Sequence, residues 1–464
     1  MIFVDREQEL EALNGFLNYK DSQFVVIYGK RRVGKTELIK HFIKNKPSVY
    51  FIAREISEKE NLILLGKTLG NYFNDTILKA HGFNHWDDLF VYLKERLAKH
   101  NGHLILAIDE FPYLAKANKG ISSIFQVGWD EYLKDAPVYL ILCGSSIGMM
   151  EQEALAYKAP LYGRRTGQLF IKPLPYLEMA KFFPEKSFEE RLRAYSVVGG
   201  IPAYILKMVG YASLEEAVEE EIFSREKVLF EEVEFILKEE LREPRNYFAV
   251  IKAIGSNCSK VSEIINETGI EKSALHNYLF VLEDLHLIEK QVPVTEKNPQ
   301  RSHKGRYYLC DQFFKFWFNY SYPFMNELEL GNKKSSLNAF RSSFEQIVAQ
   351  NYEKVAGEIV QRYHDDILSF HKIGRWWDKN EEIDLVALNE TSNEILFGEV
   401  KWSSKPVGTN IYEELKNKAE KVEWGKKNRK EYFCLFSRSG FTDGMKALAK
   451  KDHVFLFEKD KLLK

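Results

Sequence analysis

Two groups of residues in this chain have the types and spacing that chemistry requires. The first is the run GKRRVGKTE, comprising Gly29, Lys30, Arg31, Arg32, Val33, Gly34, Lys35, Thr36 and Glu37. It lies between the apolar stretch FVVIY and LIKHF, so it reads as strand, glycine loop and helix. Glycines let the backbone wrap closely round phosphate oxygens, and amide N–H groups with a helix N-terminus supply positive potential there. Lys35 is expected to reach the β- and γ-phosphates of ATP, and Thr36 to offer its hydroxyl to Mg²⁺. The partner segment is LILAIDEF, an apolar strand ending in two carboxylates. Asp109 is expected to hold Mg²⁺ and Glu110 to polarise the attacking water. Ser145 and Ser146 follow the strand VYLILC, where a hydroxyl could sense the γ-phosphate. Arg164 and Arg165 in LYGRRTG could supply charge to the transition state. Either pair also suits ordinary loop polarity.

The second group is three carboxylates and a lysine. Residues 343–355 (SFEQIVAQNYEKV) form an amphipathic helix pattern that sets Glu345 at one edge. EIDLVAL carries Asp384, and after a short turn ILFGEVKW carries Glu399 and Lys401. With a side-chain period of two, Glu399 and Lys401 share a strand face on which Asp384 of the neighbouring strand can meet them. Asp384 and Glu399 would hold Mg²⁺ or Mn²⁺ through oxygen. Lys401 would orient or help deprotonate water for attack on a phosphodiester. Glu-x-Lys alone is expected about once or twice by chance in this length, and Glu414–Lys416 is another instance. Context therefore carries the reading.

The elements that must position these groups divide the chain into five stretches. In residues 1–172, short apolar runs alternate with helical segments, which predicts an α/β parallel sheet covered on both faces. Residues 173–245 read as helical. Residues 246–310 predict a helix-turn-helix with a basic wing: a helix over 261–268, a turn at Gly269 and a helix over 271–285. Leu275, Leu279, Leu282 and Leu285 line its apolar face, opposite Lys272, Ser273, His276 and Asn277. Lys290, Lys297, Arg301, Lys304 and Arg306 fall in the wing, where they could touch DNA phosphates. Such a unit also serves as a packing or protein-contact module. Residues 311–336 hold an aromatic stretch, expected as a core helix rather than a base-stacking platform, and then a linker over 326–336. Residues 337–464 form a second α/β unit.

At the level of family, FVDREQELEAL before GKRRVGKT, followed by IDEF, CGSS, LYGRR and GGIPAYI, resembles the archaeal ATPase family. That family belongs to the STAND branch of P-loop ATPases, related to AAA+ and origin-recognition initiators. The resemblance covers residues 1 to about 240. It implies that Arg6 and Glu9 lie near the adenine, and that residues 199–202 belong to a helical lid over the nucleotide. It also implies that Ser145 is a sensor and Arg164 a charge-supplying arginine. YLCDQFFKFWFNY resembles the stretch preceding the C-terminal domain of such proteins. Residues 340 to about 437 resemble the PD-(D/E)xK nuclease superfamily, with Ile383 where the motif's proline would stand. The implied architecture is a P-loop ATPase core with helical lid, a winged helix-turn-helix and a restriction-endonuclease-like domain. The expected function is an ATP-driven switch that binds DNA and cuts it. The alternatives are a non-nucleolytic signalling or scaffold ATPase, with its C-terminal unit docking a protein partner or a second copy, and an initiator-like remodeller of DNA.

Composition bounds the rest. Of 464 residues, 45% are hydrophobic and 29% charged, the profile of globular protein. Four dispersed cysteines without a CxxC pair argue against structural zinc and for a reducing, cytoplasmic setting. The first residues reach charge at Asp5, unlike a secretory signal, and no apolar run suits a membrane span. The net charge is −1, yet residues 215–243 hold 12 Glu against four basic residues. The remainder carries 62 basic and 55 acidic residues, so local basic faces are possible.

Overall fold

The computed structural model describes residues 3–100, 102–241, 243–379, 381–426 and 428–463. The chain divides into two units: Met1–Leu174 with Ile201–Ala203, and Pro175–Gly200 with Tyr204–Lys464.

In the first unit, helix α1 (Glu7–Leu17) precedes strand β1 (Gln23–Tyr28), and helix α2 (Lys35–Ile43) follows it. Strands β2 (Ser48–Ile52), β3 (Leu104–Asp109), β4 (Val138–Gly144) and β5 (Gly167–Phe170) complete a parallel sheet of order β2-β3-β4-β1-β5. Every residue of β1, β3 and β4 is buried, as continuous apolar strands require when both faces are covered. Alternation then sorts the side chains. Phe24, Val26 and Tyr28 enter one apolar cluster, while Val25 and Ile27 join Leu38, Ile39 and Phe42 of α2 in the other. In this order β4 lies between β1 and β3, so the ends of three central strands meet along one edge of the sheet.

The second unit begins with helical segments, among them α3 (Phe188–Val198), started by a capping box between Ser187 and Glu190. Helices α4 (Pro244–Gly255), α5 (Val261–Thr268) and α6 (Lys272–Asp284) come next. Gly269 takes φ +68° and its N–H bonds the Ile265 carbonyl at 2.8 Å, ending α5 as a left-handed cap does. Strands β6 (Ile288–Gln291) and β7 (Arg306–Leu309) form an antiparallel hairpin. Helix α7 (Gln312–Tyr320) buries Phe313, Phe314, Phe316, Trp317, Phe318 and Tyr320, and the Trp317 indole donates to the Phe230 carbonyl at 2.8 Å. The aromatic stretch is therefore a core helix.

Residues 326–336, expected as a linker, are largely helical. Met325–Glu329 is a short helix, Gly331 turns at φ +81°, and α8 (Lys334–Arg362) starts directly after. Lys, Ser and Asn tolerate helical positions well enough that composition alone did not reveal this. Strands β8 (Lys372–Asp378), β9 (Glu381–Asn389), β10 (Glu394–Lys401), β11 (Lys430–Ser437), β12 (Phe455–Glu458) and β13 (Lys461–Leu463) build a mixed sheet in the order of their numbers. β8, β9 and β10 are antiparallel neighbours, whereas β10, β11 and β12 run parallel. Helix α9 (Thr409–Ala419) connects β10 to β11.

Candidate functional site

The phosphate loop is shaped by steric demands that only certain residues meet. Gly29 has φ +150°, and a Cβ there would lie 2.4 Å from the Ile171 carbonyl oxygen. Gly34 caps α2 at φ +97°. Such positions belong to glycine. Lys35 is 6% exposed and donates to the carbonyls of Gly29 and Lys30, both at 2.8 Å. Burial lowers its ammonium pKa, a shift opposed by the nearby Glu110 and Asp109. The cation is thus held dry at the start of a helix, where a polyphosphate would offset the cost of burying it. Thr36 Oγ1 donates to Asp109 Oδ2 at 2.7 Å, and the Tyr50 hydroxyl donates to the same oxygen at 2.7 Å. A hydroxyl and a buried carboxylate are hard oxygen donors of the kind Mg²⁺ takes beside a phosphate. Glu110 sits at φ +55°, outside the range comfortable for a branched-off side chain. Its carboxylate accepts the Ser145 hydroxyl at 2.8 Å. The strand order explains this meeting: Ser145 directly follows β4, next to the Glu110 that follows β3.

The other expected members are placed as follows. Arg6 is 5% exposed, pairs with Glu9 at 3.0 Å, and donates to the carbonyls of Val33 at 3.1 Å and Lys172 at 2.7 Å. It thereby ties the start of the chain to the phosphate loop. Glu37 pairs with Lys40 at 3.2 Å. Val33 is fully buried, while Lys30, Arg31 and Arg32 are half-buried along the loop. Arg164 is paired with Asp130 at 2.9 Å, and Arg165 donates to the Leu155 carbonyl at 3.0 Å. Ser146 caps the short helix after β4. Tyr50 was missed in the sequence because one tyrosine in an apolar strand carries no signal of its own.

In the second unit, Gly398 of β10 stands opposite Leu385 of β9 where their ladder ends, and the register against β8 shifts at the same place, so Asp384 sits at a bulge beside Glu399. Asp384 Oδ2 accepts the Val400 N–H at 2.9 Å. Glu399 is 6% exposed and accepts Lys401 at 2.7 Å and Lys418 at 3.1 Å. Burial, then the Glu399 charge, pushes the Asp384 carboxyl up to about 6. Burial alone would lower Lys401, and the Glu399 carboxylate outweighs it to raise the ammonium pKa. The helix carboxylate differs from the expected one. Glu345 bonds Arg193 at 2.8 Å and the Trp402 indole at 2.8 Å, with Arg438 at 3.7 Å. Glu353, eight residues further along α8, is the one held near Asp384: burial, then the Asp384 charge, raises it to about 7. It also lies 3.4 Å from Arg375. Asp384 is thus pushed up by Glu399, and Glu353 by Asp384, a crowding of negative charge that a dication would relieve. Among the described residues no three His, Cys, Asp or Glu side chains lie close enough to hold a metal together. Lys418 of α9 gave no sign in the sequence of reaching Glu399.

Ahead of that sheet, Leu275, Leu279, Leu282 and Leu285 are buried, and Lys272, Ser273, His276 and Asn277 of α6 are exposed. Of the basic residues around the hairpin, Lys297 and Arg301 are exposed, Lys290 reaches the Ser302 carbonyl, Lys304 pairs with Asp378 at 3.1 Å and Arg306 with Glu382 at 3.0 Å. Among the described residues no helix is long and apolar enough to cross a membrane.

A glycine loop between a buried strand and a helix, a carboxylate-tipped strand across an intervening one, and a hydroxyl at that intervening tip define a P-loop nucleoside triphosphatase. Known proteins agree. Residues 3–208 match the family described as an ATPase domain predominantly from Archaea. Residues 317–421 match one described as "Archaea bacterial proteins of unknown function". An uncharacterized protein of Methanocaldococcus jannaschii is 36% identical over 442 residues, covering 94% of this chain and 96% of that protein. An uncharacterized ATP-binding protein of the same archaeon is 48% identical over 46 residues, 10% of this chain and 78% of its own. A Walker-type ATPase of Pyrococcus abyssi shares the fold at 22% identity, with TM-score 0.50 over 68% of this chain and 96% of that one. The chain belongs to the archaeal ATPase family, and it is an ATPase.

Proposed function

We propose that this ATPase uses ATP binding and hydrolysis as a switch for DNA binding and metal-dependent phosphodiester cutting by its C-terminal sheet. In the ATP site, residues 29–37 hold the triphosphate, with Lys35 at the β- and γ-phosphates. Thr36 and Asp109 hold Mg²⁺. Glu110 polarises water, and Ser145, bonded to Glu110 at 2.8 Å, orients that carboxylate and senses the γ-phosphate. Arg6 and Glu9 form the side of the site nearer the base.

For cutting, the observation that carries the reading is the closeness of Asp384, Glu399 and Lys401 on adjacent strands, with Asp384 accepting the Val400 N–H at 2.9 Å and Lys401 2.7 Å from Glu399. Asp384 and Glu399 would hold Mg²⁺ or Mn²⁺, which supplies a Lewis acid and an acidified water when bound. Lys401 orients the water and balances the negative charge that builds on the phosphate. Glu353, rather than Glu345, is the helix carboxylate facing this pair. Hydrolysis adds water across one P–O bond and leaves a phosphomonoester and a hydroxyl. On this reading the sheet and its leading helix make a restriction-endonuclease-like domain, and helices α4 to α6 with their hairpin a winged helix. In that unit Lys272, Ser273, His276 and Asn277 would meet a DNA groove, with Lys297 and Arg301 on the phosphates.

A second reading, a signalling or scaffold ATPase without nuclease activity, is favoured by one feature: two lysines already neutralise Glu399. Nicking of supercoiled plasmid with Mg²⁺ or Mn²⁺ separates them. The nuclease reading expects nicking by wild-type protein and a loss of at least about a hundredfold in Lys401→Ala and Asp384→Asn. Equal nicking by all three would refute it.

A further inference from the structure

The C-terminal sheet has a cavity of about 840 Å³ beside the proposed cutting site, bounded by α7, α8, the β6–β7 hairpin, β8 and β9. Asp384 and Glu353 both line it, so it opens onto those acids. Two further lining groups are donors without acceptors among the described residues: Asn351 Nδ2 and Arg375 Nε, both buried at the atom. Asn351 as a whole is 7% exposed, and its own carbonyl oxygen accepts from Gln312 at 3.5 Å. Buried donors are ordinarily satisfied, and two left open on one cavity wall point to a ligand rich in acceptors. Lys315, whose ammonium donates to Gln350, and Tyr308 also line the cavity.

We propose that this cavity is a pocket for one unpaired, phosphate-bearing nucleotide of the substrate strand, so that the site acts on single-stranded or locally unpaired DNA. The proposal rests on the nuclease reading above and names its substrate class. Three observations converge on it. The volume falls in the ~300–1,000 Å³ range that encloses a small organic ligand. A cube of that volume is roughly 9 Å on a side, narrower than the ~12 Å major groove alone, so a continuous duplex does not fit. A nucleotide turned out of a stack brings phosphate and base acceptors to Arg375, Asn351 and Lys315, a π-face to Tyr308, and its phosphate toward Asp384.

The test uses full-length protein saturated with ADP, with binding read by fluorescence anisotropy. Three probes of one sequence are compared: a single strand, a blunt duplex, and a duplex with one unpaired nucleotide. The pocket predicts that the first and third bind at least about tenfold more tightly than the second. Asn351→Leu and Lys315→Ala should each erase most of that preference. ATPase rate and melting temperature serve as controls for folding, and two variants guard against one that misfolds. Equal binding of all three probes, or wild-type preference in both variants, would overturn the pocket. Cleavage of blunt duplex as fast as of single strand would overturn the pocket and leave the nuclease reading standing. Pocket-dependent binding of single strands without cleavage under Mg²⁺ or Mn²⁺ would uphold the pocket and sink the nuclease reading.

Discussion

Lys35 and Asp384 face opposite electrostatic problems, and each points to what would solve it. Lys35 is a buried cation whose pKa is lowered by desolvation, and a polyphosphate is the ligand that would stabilise its charge. Lys35→Ala should weaken ATP binding about a hundredfold by calorimetry, since a charge-assisted contact to phosphate is lost. Glu110→Gln should bind ATP as wild type but lower turnover by about 10²–10³-fold, because it keeps the Ser145 partner and loses the base. Unchanged turnover would remove Glu110 from the reaction. Asp384 is a buried acid raised to about 6, and Glu353 one raised to about 7. Both folded values lie above the ordinary ones, so the folded unit binds more protons than the unfolded chain between pH ~4 and ~7. Their contribution to stability is complete below pH ~4 and is lost as pH rises through 6 to 7. Denaturant unfolding followed from pH 4 to pH 8 should show that decline, flattened in Asp384→Asn. A dication should reverse it, binding more tightly as the pH rises and the acids ionise. A pH-independent metal affinity over this range would contradict the assignment of Asp384 as one of its ligands.

Among the elements, α7 packs the second unit around aromatic side chains. Trp317 is fully buried and bonded through its indole. Trp317→Ala should destabilise the second unit by about 3–5 kcal/mol in denaturant titrations, from lost contacts and an orphaned Phe230 carbonyl. A change under about 1 kcal/mol would mean that α7 is dispensable for that core. The central strands β1, β3 and β4 were legible because each is a short, nearly continuous apolar run between helical segments, and burial on both faces demands that pattern. The glycine loop was legible for a related reason, since backbone approach to phosphate needs particular residues at fixed spacing. The helix carboxylate was not. Glu345 and Glu353 both border the apolar stripe of α8, and only the packing of that helix on β9 and β10 decides which one faces Asp384. The supposed linker failed as well, because Lys, Ser and Asn were taken as loop formers where α8 continues through them. Hydrogen bonds between distant positions, such as Tyr50 to Asp109 or Lys418 to Glu399, leave no trace in a single sequence.

Over the whole molecule, the near-zero net charge hides a division of labour. The Glu-rich stretch is partly neutralised within its own unit, Glu215 by Arg341 and Glu220 by Lys333 at the start of α8. Basic residues exposed on α6 and beside the hairpin, Lys272, Lys297 and Arg301, would meet the polyanion under the proposed function. The account as a whole assigns two sites of hard oxygen donors to one chain, Thr36 with Asp109 and Asp384 with Glu399. Under the proposed function the former pair would hold the metal of the triphosphate and the latter that of the phosphodiester. Anomalous diffraction from crystals grown with Mn²⁺ and a non-hydrolysable ATP analogue tests this most directly. The account predicts two manganese peaks, one within coordination distance of Thr36 and the nucleotide, the other touching Asp384 and Glu399. A single peak at the nucleotide, with Lys401 and Lys418 still clamped on Glu399, would contradict it.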